Sequence, residues 1–461
     1  MDLDFRQETD SLGTVAVPAE AYYGAQTRRA MDHFTISGRI LPMEIIYVLA
    51  RIKKAAAGVN AQLGEIPAGY GETIARAADE IIGGSLDDQF VVDVFQTGSG
   101  TSANMNVNEV IATRSNQILT GKKNTKSPVH PNDHVNRGQS TNDLMPSAIH
   151  ICARMLIRDR LLPAVDAMEQ ALTEKAQQFS GIRKIGRTHL QDAVVMTLGQ
   201  EFSGYAAQMA LARQRLEGIG PRLSRLALGG TAVGTGLNAH PELAKRVIAA
   251  VSRETGIEFA EADNHFEAQS ACDTVVETSG VLKTVAVSIS KIANDIRLLA
   301  SGPRCGLGEI RLPALLPGSS IMPGKVNPVM CEAAVQASAH VIGNDTALTQ
   351  AGQGGYFQLN LMLPLAAFNL VESINILANA ARGLAEKCIS GIEANESKCE
   401  QNIRQSLAVV TGLVPHIGYD RAAQIAAWAY GTGKTIEEIA AEENVLPEDQ
   451  LQKALYDNSK P

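Results

Sequence analysis

Aromatic side chains are scarce in this sequence. They make up 4% of its 461 residues, and one alone is tryptophan. Sandwiches and barrels draw on aromatic and β-branched residues, so this shortage, beside abundant alanine and leucine, favours helices. Basic residues form no stripe, and the net charge is -8 with a pI near 5.7, which argues against a nucleic-acid partner. No uncharged apolar run reaches the roughly 18 residues that span a bilayer, so no membrane partner is expected. No two cysteines stand in a CxxC pair. Cys152, Cys272, Cys305, Cys331, Cys388 and Cys399 are therefore expected as reduced, buried thiols and not as a disulfide framework. The stretch Met1 to Asp10 is acidic and polar, unlike a signal peptide. A cytoplasmic protein is expected.

What the sequence has in quantity is helical periodicity. Turn-forming residues (Gly38, Pro42, Gly64, Pro67, Gly69, Gly83, Gly84) punctuate short helical stretches up to about residue 138. Long helical periods dominate from 139 to 390. Val281, Val285, Ile289, Ile292, Ile296 and Leu299 recur at spacings of four, four, three, four and three, with no Gly or Pro between Val281 and Ala300. Segments 143–179, 190–219, 330–350 and 357–389 read similarly, with Pro146, Pro163 and Pro364 expected to start or kink helices. Five long helices predict a bundle. Val275, Val276, Val281, Leu282, Val285 and Val287 cover more than one face, so burial against other subunits is expected. Residues 391–461 read as a small helical C-terminal region.

Several motif-like runs carry little. Gly431-Thr432-Gly433-Lys434-Thr435 resembles the end of a phosphate-binding loop, but Trp428 stands where that motif needs glycine, and Ala422 to Tyr430 reads as helix. A helix C-cap followed by a new N-cap is expected there. Gly229, Gly230 and Gly236 do not fit dinucleotide spacing. His130, Asp133 and His134 lack the HExxH pattern and any cysteine partner, so no metal site is expected.

Polar residues concentrate in four places. Thr97-Gly98-Ser99-Gly100-Thr101-Ser102-Ala103-Asn104 precedes a helix, where free amides and hydroxyls make an anion cradle or an ordinary cap. His130-Pro131-Asn132-Asp133 leads to Gln139-Ser140-Thr141-Asn142-Asp143, again just before a helix, with more polar residues than one cap requires. Pro317 to Pro328 carries two serines, a lysine and an asparagine among glycines and prolines. It is expected as a structured loop, and Ile321, Met322 and Val326 favour burial or a closing lid. Gly186-Arg187-Thr188-His189-Leu190-Gln191-Asp192 places His189 after Thr188 at an expected helix start. The chain has nine histidines in all.

The run GSSIMPGKVNP, residues 318–328, resembles the signature of the fumarase/aspartase superfamily. Within it, TGSGT (97–101), HPND (130–133), GRTH (186–189) and CEA (331–333) most resemble class II fumarases, and the likeness runs along essentially the whole chain. Aspartases typically read GGAGT at the first of these, but share QSTND (139–143) and NPVM (327–330). Lys126 and Ser127 depart from the arginine that many fumarases carry near a second dicarboxylate site, whereas His130, Pro131, Asn132 and Asp133 match it.

The resemblance implies a mostly α fold of three domains. These are an N-terminal, mainly helical domain (1–138), a central five-helix bundle (139–390) and a small helical C-terminal domain (391–461). It implies a homotetramer with a twenty-helix core and active sites shared between three subunits. The implied reaction is reversible hydration of fumarate to L-malate, by anti addition and elimination through an aci-carboxylate, without metal or cofactor. Aspartate ammonia-lyase is the alternative. Ser319 is the implied base, His189 the candidate acid and Glu332 its partner. Ser99, Gly100, Thr101, Ser140, Thr141, Asn142, Thr188, Ser320, Lys325, Val326 and Asn327 are the implied substrate contacts. The chemistry asks for them: the proton removed from malate lies beside a carboxylate, and preorganised donors must hold the second charge that develops there.

Overall fold

A computed structural model describes residues 4–456; Met1 to Leu3 of the polar N-terminal stretch and Asp457 to Pro461 of the C-terminal region lie outside the described residues. The described chain is predominantly helical, with seventeen α-helices and five two-stranded sheets. It groups into two compact units. One runs from the start of the described chain to Leu162, with Gln214–Ala286 and Ala339–Ala378. The other comprises Pro163–Arg213, Val287–Ser338 and the described chain from Asn379 onward.

The long periodic segments are helices. Asp273–Leu299 contains the predicted stripe, and Val285, Ile289, Ile292, Ile296 and Leu299 are buried while Val281 is half-buried. Val287 and Leu298 on the same helix stay exposed, at 53% and 45%. Val329–Gly352 fills the expected 330–350 segment. The 143–179 segment divides into Thr141–Leu156, a π turn at Ile157–Leu161, and Leu162–Gln178. The wider turn precedes Pro163, whose ring nitrogen has no hydrogen for the carbonyl four residues back.

Two helices start later than periodicity predicts. The 190–219 segment becomes helical only at Leu198, because Gln191–Thr197 is a strand paired with Arg183–Thr188. Val194, Val195 and Thr197 are β-branched, and a short apolar run cannot by its period alone be told from a helical turn. The 357–389 segment becomes helical at Leu363, after a tight hairpin pairs Gly355–Tyr356 with Leu359–Asn360. Pro364 sits in the first turn, where its missing N–H costs nothing.

The cap expected around Gly433 is there. Tyr419–Thr432 ends on Gly433 at φ 74°, and Thr435 opens Ile436–Glu442 with a capping box to Glu438. This region has its own core, in which Ile403, Leu413, Ile425, Ile436 and Leu455 bury together with Ile185. Five of the six cysteines are buried and free, whereas Cys305 is exposed. Stretch 363–391 is long and apolar enough to cross a membrane, yet 61% of its most apolar window is buried inside the protein, as in a core helix.

The Met43–Gln62 helix packs on Ala68–Ile82, Thr141–Leu156 and Leu243–Thr255. Within that interior lies Lys53, 0% exposed. Burial pushes its ammonium down to about 7, and the nearby Asp143 carboxylate opposes the shift. The unfolded lysine keeps its proton up to about pH 10.4, the folded one does not. The unfolded state therefore holds more protons between pH 7 and 10, and this group makes stability rise with pH across that window. Lys53→Met removes the effect. In urea denaturation at a series of pH values, the native protein is expected to gain on the variant by up to about 1.4 kcal/mol per pH unit above pH 7. A gap independent of pH would show that the buried amine keeps its proton.

Candidate functional site

Each unit carries part of the predicted polar set. In the first unit, Gly100 caps the Thr101–Thr120 helix at φ 84°, a left-handed backbone that glycine adopts freely. A Cβ there would also meet the Met145 side chain at 2.6 Å. Gly98 is pressed against the chain at Leu361, and its carbonyl accepts from the Leu363 N–H at 2.9 Å. Ser99 is buried and shares a 2.9 Å hydrogen bond with Thr101. Gln96 Oε1 accepts from the Ala103 amide, so the amides of Thr101 and Ser102 have no acceptor among the described residues. These are the free donors expected at an anion cradle.

Ser140 caps the Thr141–Leu156 helix, and Asp143 completes the capping box. Asp143 does more than cap. Its second oxygen accepts from the N–H groups of Gly229 and Thr231, both at 3.0 Å, and so holds the 229–231 loop against the helix start. Burial pushes its carboxyl up, and the amides of Thr231, Gly229 and Ser140 oppose this. Asn142 donates to the Ala232 carbonyl at 2.8 Å. The two predicted clusters meet at one bond, from Asn104 Nδ2 to Thr141 Oγ1, 2.8 Å long and buried.

His130, Pro131, Asn132 and Asp133 form a capped turn. His130 Nδ1 accepts from the amides of Asn132 and Asp133, both at 3.2 Å, and His134 Nδ1 accepts from the His130 N–H at 2.8 Å. The nitrogen that lies 3.2 Å from the Asp133 carboxylate is thus an acceptor, which makes that approach a cap and not an ion pair. Asn132 and Asp133 are exposed. Among the described residues no three His, Cys, Asp or Glu side chains group as a metal set.

In the second unit, the helix start expected at His189 is instead a hairpin tip. Thr188 pairs with Gln191, and His189 and Leu190 form the turn at φ 56° and 60°. Two left-handed residues in a row match the twist of the flanking strands, which is why two-residue hairpins use them. Thr188 and His189 are exposed, and Leu190 is 76% exposed. The hairpin base is anchored by charge. Arg187 donates twice to Glu309, at 3.0 and 2.7 Å; Lys184 lies 3.3 Å from the same carboxylate, and Asn402 donates to it at 3.1 Å. Burial opposes ionisation of Glu309, but Arg187 and Lys184 outweigh it and hold the carboxyl below its usual range. The sequence carries no local signal for this cluster, because its partners stand 122 residues apart.

The 318–328 loop closes on itself. Asn327 donates to the Gly318 carbonyl at 2.6 Å, and a Cβ on Gly318 would lie 2.0 Å from the Lys325 carbonyl oxygen. Inside this ring Ser319 Oγ accepts from the amides of Ile321 at 3.2 Å and Met322 at 3.0 Å. Ser320, Lys325 and Val326 are exposed, as are Ile321 at 83% and Met322 at 47%. Lys325, Val326, Asn327 and Glu332 line a cavity of about 630 Å³ together with Arg297 and Arg311. Among the described residues, no hydrogen bond or ion pair joins Ser319 or Glu332 to His189.

Comparison with known proteins decides the family. A lyase family profile matches residues 13–343, and a fumarase C C-terminal profile matches 409–456. A class II fumarate hydratase of Thermosynechococcus vestitus is 50% identical over 98% of this chain and 97% of its own length. The chain belongs to the class II fumarate hydratase family. Its fold agrees with solved members. A class II fumarase of Schistosoma mansoni superposes with a TM-score of 0.94 at 38% identity, covering 98% of both chains. A fumarate lyase:delta crystallin of Brucella melitensis superposes with a TM-score of 0.93 at 45% identity, over 98% of both chains. The chain thus has the mostly α fumarase/aspartase-like fold.

Glu309→Gln should expose the importance of the charge cluster under the His189 hairpin. It leaves Arg187 beside a neutral amide, while Lys184 keeps Glu201 at 2.8 Å; removing one partner of a buried charge cluster costs about 3–5 kcal/mol. Chemical denaturation should register that loss; a change below about 0.5 kcal/mol, the scale of an ordinary surface substitution, would show that the cluster does not anchor the hairpin.

Proposed function

We propose that this chain is a fumarate hydratase, adding water to fumarate to give L-malate and reversing the step. The observation that carries the chemistry is the Ser319 turn. A serine is a weak base, and its alkoxide becomes useful only when donors and cations surround it. Ser319 Oγ already accepts two backbone N–H groups in a loop that also bears Lys325. In the proposed reaction it takes the proton from the carbon beside one carboxylate of malate. The second charge on that carboxylate, the aci-carboxylate form, is held by Lys325, Asn327 and the other donors. On the opposite face His189 delivers a proton, through water, to the departing hydroxide, and Glu332 orients it. Ser99, Gly100, Thr101, Ser140, Thr141, Asn142, Thr188, Ser320 and Val326 hold the substrate. The reaction transfers no electrons, and this reading assigns it no organic or metal cofactor.

His189 stands exposed at a turn tip with neither Ser319 nor Glu332 bonded to it, and apolar Val287, Leu298 and Leu190 face outward. These features support a homotetramer in which each active site draws on three subunits. The domain division 1–138, 139–390 and 391–461 and a cytoplasmic setting belong to the same reading. So does a second dicarboxylate site at His130, Pro131, Asn132 and Asp133, whose exposed Asn132 and Asp133 present polar groups to solvent.

Supplying L-malate and following the ultraviolet absorbance of fumarate tests the activity, with L-aspartate as the comparison. Turnover of aspartate and not malate would make the chain an ammonia-lyase. Ser319→Ala and His189→Asn are each expected to lower kcat at least about 100-fold with the helical circular-dichroism spectrum unchanged. Near-native turnover by either variant removes that residue from its assigned role. Glu332→Gln should move the acidic or basic limb of the pH–rate profile.

A further inference from the structure

Lys53 lies far along the chain from every predicted site residue, yet its amine connects to one of them by hydrogen bonds. Its Nζ is 3.1 Å from Asn136 Oδ1 and 3.4 Å from Gln139 Oε1. Below about pH 7, where the buried amine keeps its proton, Lys53 is an ammonium with hydrogens to give and no lone pair to accept with. Asn136 must therefore turn its carbonyl toward Lys53, and its amide nitrogen turns the other way, to the Gln139 carbonyl at 3.1 Å. That same Asn136 Oδ1 also receives Asn104 Nδ2 at 3.4 Å and Asn108 Nδ2 at 3.3 Å. Asn104 thus has to present its NH2 group on this side, and from there it donates to Thr141 Oγ1 at 2.8 Å.

The orientation is not the one Asn104 and Asn108 would choose alone. Their own carbonyl oxygens are buried with no donor among the described residues. Rotating the Asn104 amide by half a turn would let its carbonyl accept from the Thr141 hydroxyl. The rotation is blocked because it would set two carbonyl oxygens, those of Asn104 and Asn136, against each other. Lys53 is what keeps the second of these in place. The result at the far end is directional. Thr141 oxygen is occupied as an acceptor, so its hydrogen is left to donate elsewhere.

We propose that Lys53 is a positioning residue which, through Asn136 and Asn104, fixes Thr141 as a hydrogen-bond donor to a carboxylate of the substrate. This rests on the reading of Thr141 as a substrate contact. A dianion offers only acceptors, and a threonine free to rotate its hydroxyl would spend part of its time with the hydrogen turned away.

A double-mutant cycle tests the chain of bonds. Lys53→Met and Thr141→Val should each raise the KM for L-malate about tenfold, the worth of one donor to a charged group, with a smaller change in kcat. In the Thr141→Val background, Lys53→Met should add nothing further to KM. Asn104→Leu, which removes the relay and leaves the lysine, should repeat both results, and it carries the test if the lysine variant fails to fold. Multiplying effects in the double variants, or an unchanged KM in Thr141→Val alone, would overturn the positioning role. Absence of malate turnover by the unaltered protein sinks the proposed function and this role with it. Malate turnover with multiplying effects sinks only the role.

Discussion

A carboxylate removed from water needs cations or N–H groups in its place, and two such carboxylates organise this chain. Asp143 gathers the amides of Gly229 and Thr231 onto the start of a helix. Glu309 gathers Arg187, Lys184 and Asn402 beneath a hairpin. Neither residue belongs to the predicted substrate contacts. Each stands directly behind a segment that does, so the polar groups in front owe their fixed directions to buried groups behind them.

Much of the fold was legible because helices write their period into the sequence. The stripe from Val281 to Leu299 is such a case, and so is the pairing of Gly433 with Thr435, where cap chemistry depends on neighbouring residues alone. The hairpin at His189 was not legible. Its strands are six and seven residues long, and the second runs straight into the Leu198–Leu223 helix, so the apolar pattern of one element continues into the next. Asn-Gly or Gly-Gly would have announced the turn, but His189 and Leu190 occupy it.

The site divides in the same way. Glycines, hydroxyls and the lysine of 318–328 stood out because a helical protein has no structural use for them in such density. The supports did not. Lys53 sits in a run of ordinary helix formers and reads as a solvated charge, since nothing within a helical turn reveals that it is buried. Glu309 likewise depends on partners brought from Lys184, Arg187 and Asn402, and long-range pairing leaves no periodic mark. Residues that touch a substrate are conspicuous by type, whereas residues that hold them in place are conspicuous only by location.

The closure of the 318–328 loop reaches beyond this one chain. Where Gly318 faces the Lys325 carbonyl there is not space for a single methyl group. A homologue bearing alanine at the corresponding position would have to spread the loop and break the bond from Asn327, which would carry the serine amides away from their oxygen. That one glycine is therefore a cheap diagnostic when sorting unfamiliar sequences of this kind: its loss marks a loop of different shape, even where the serine and lysine beside it persist.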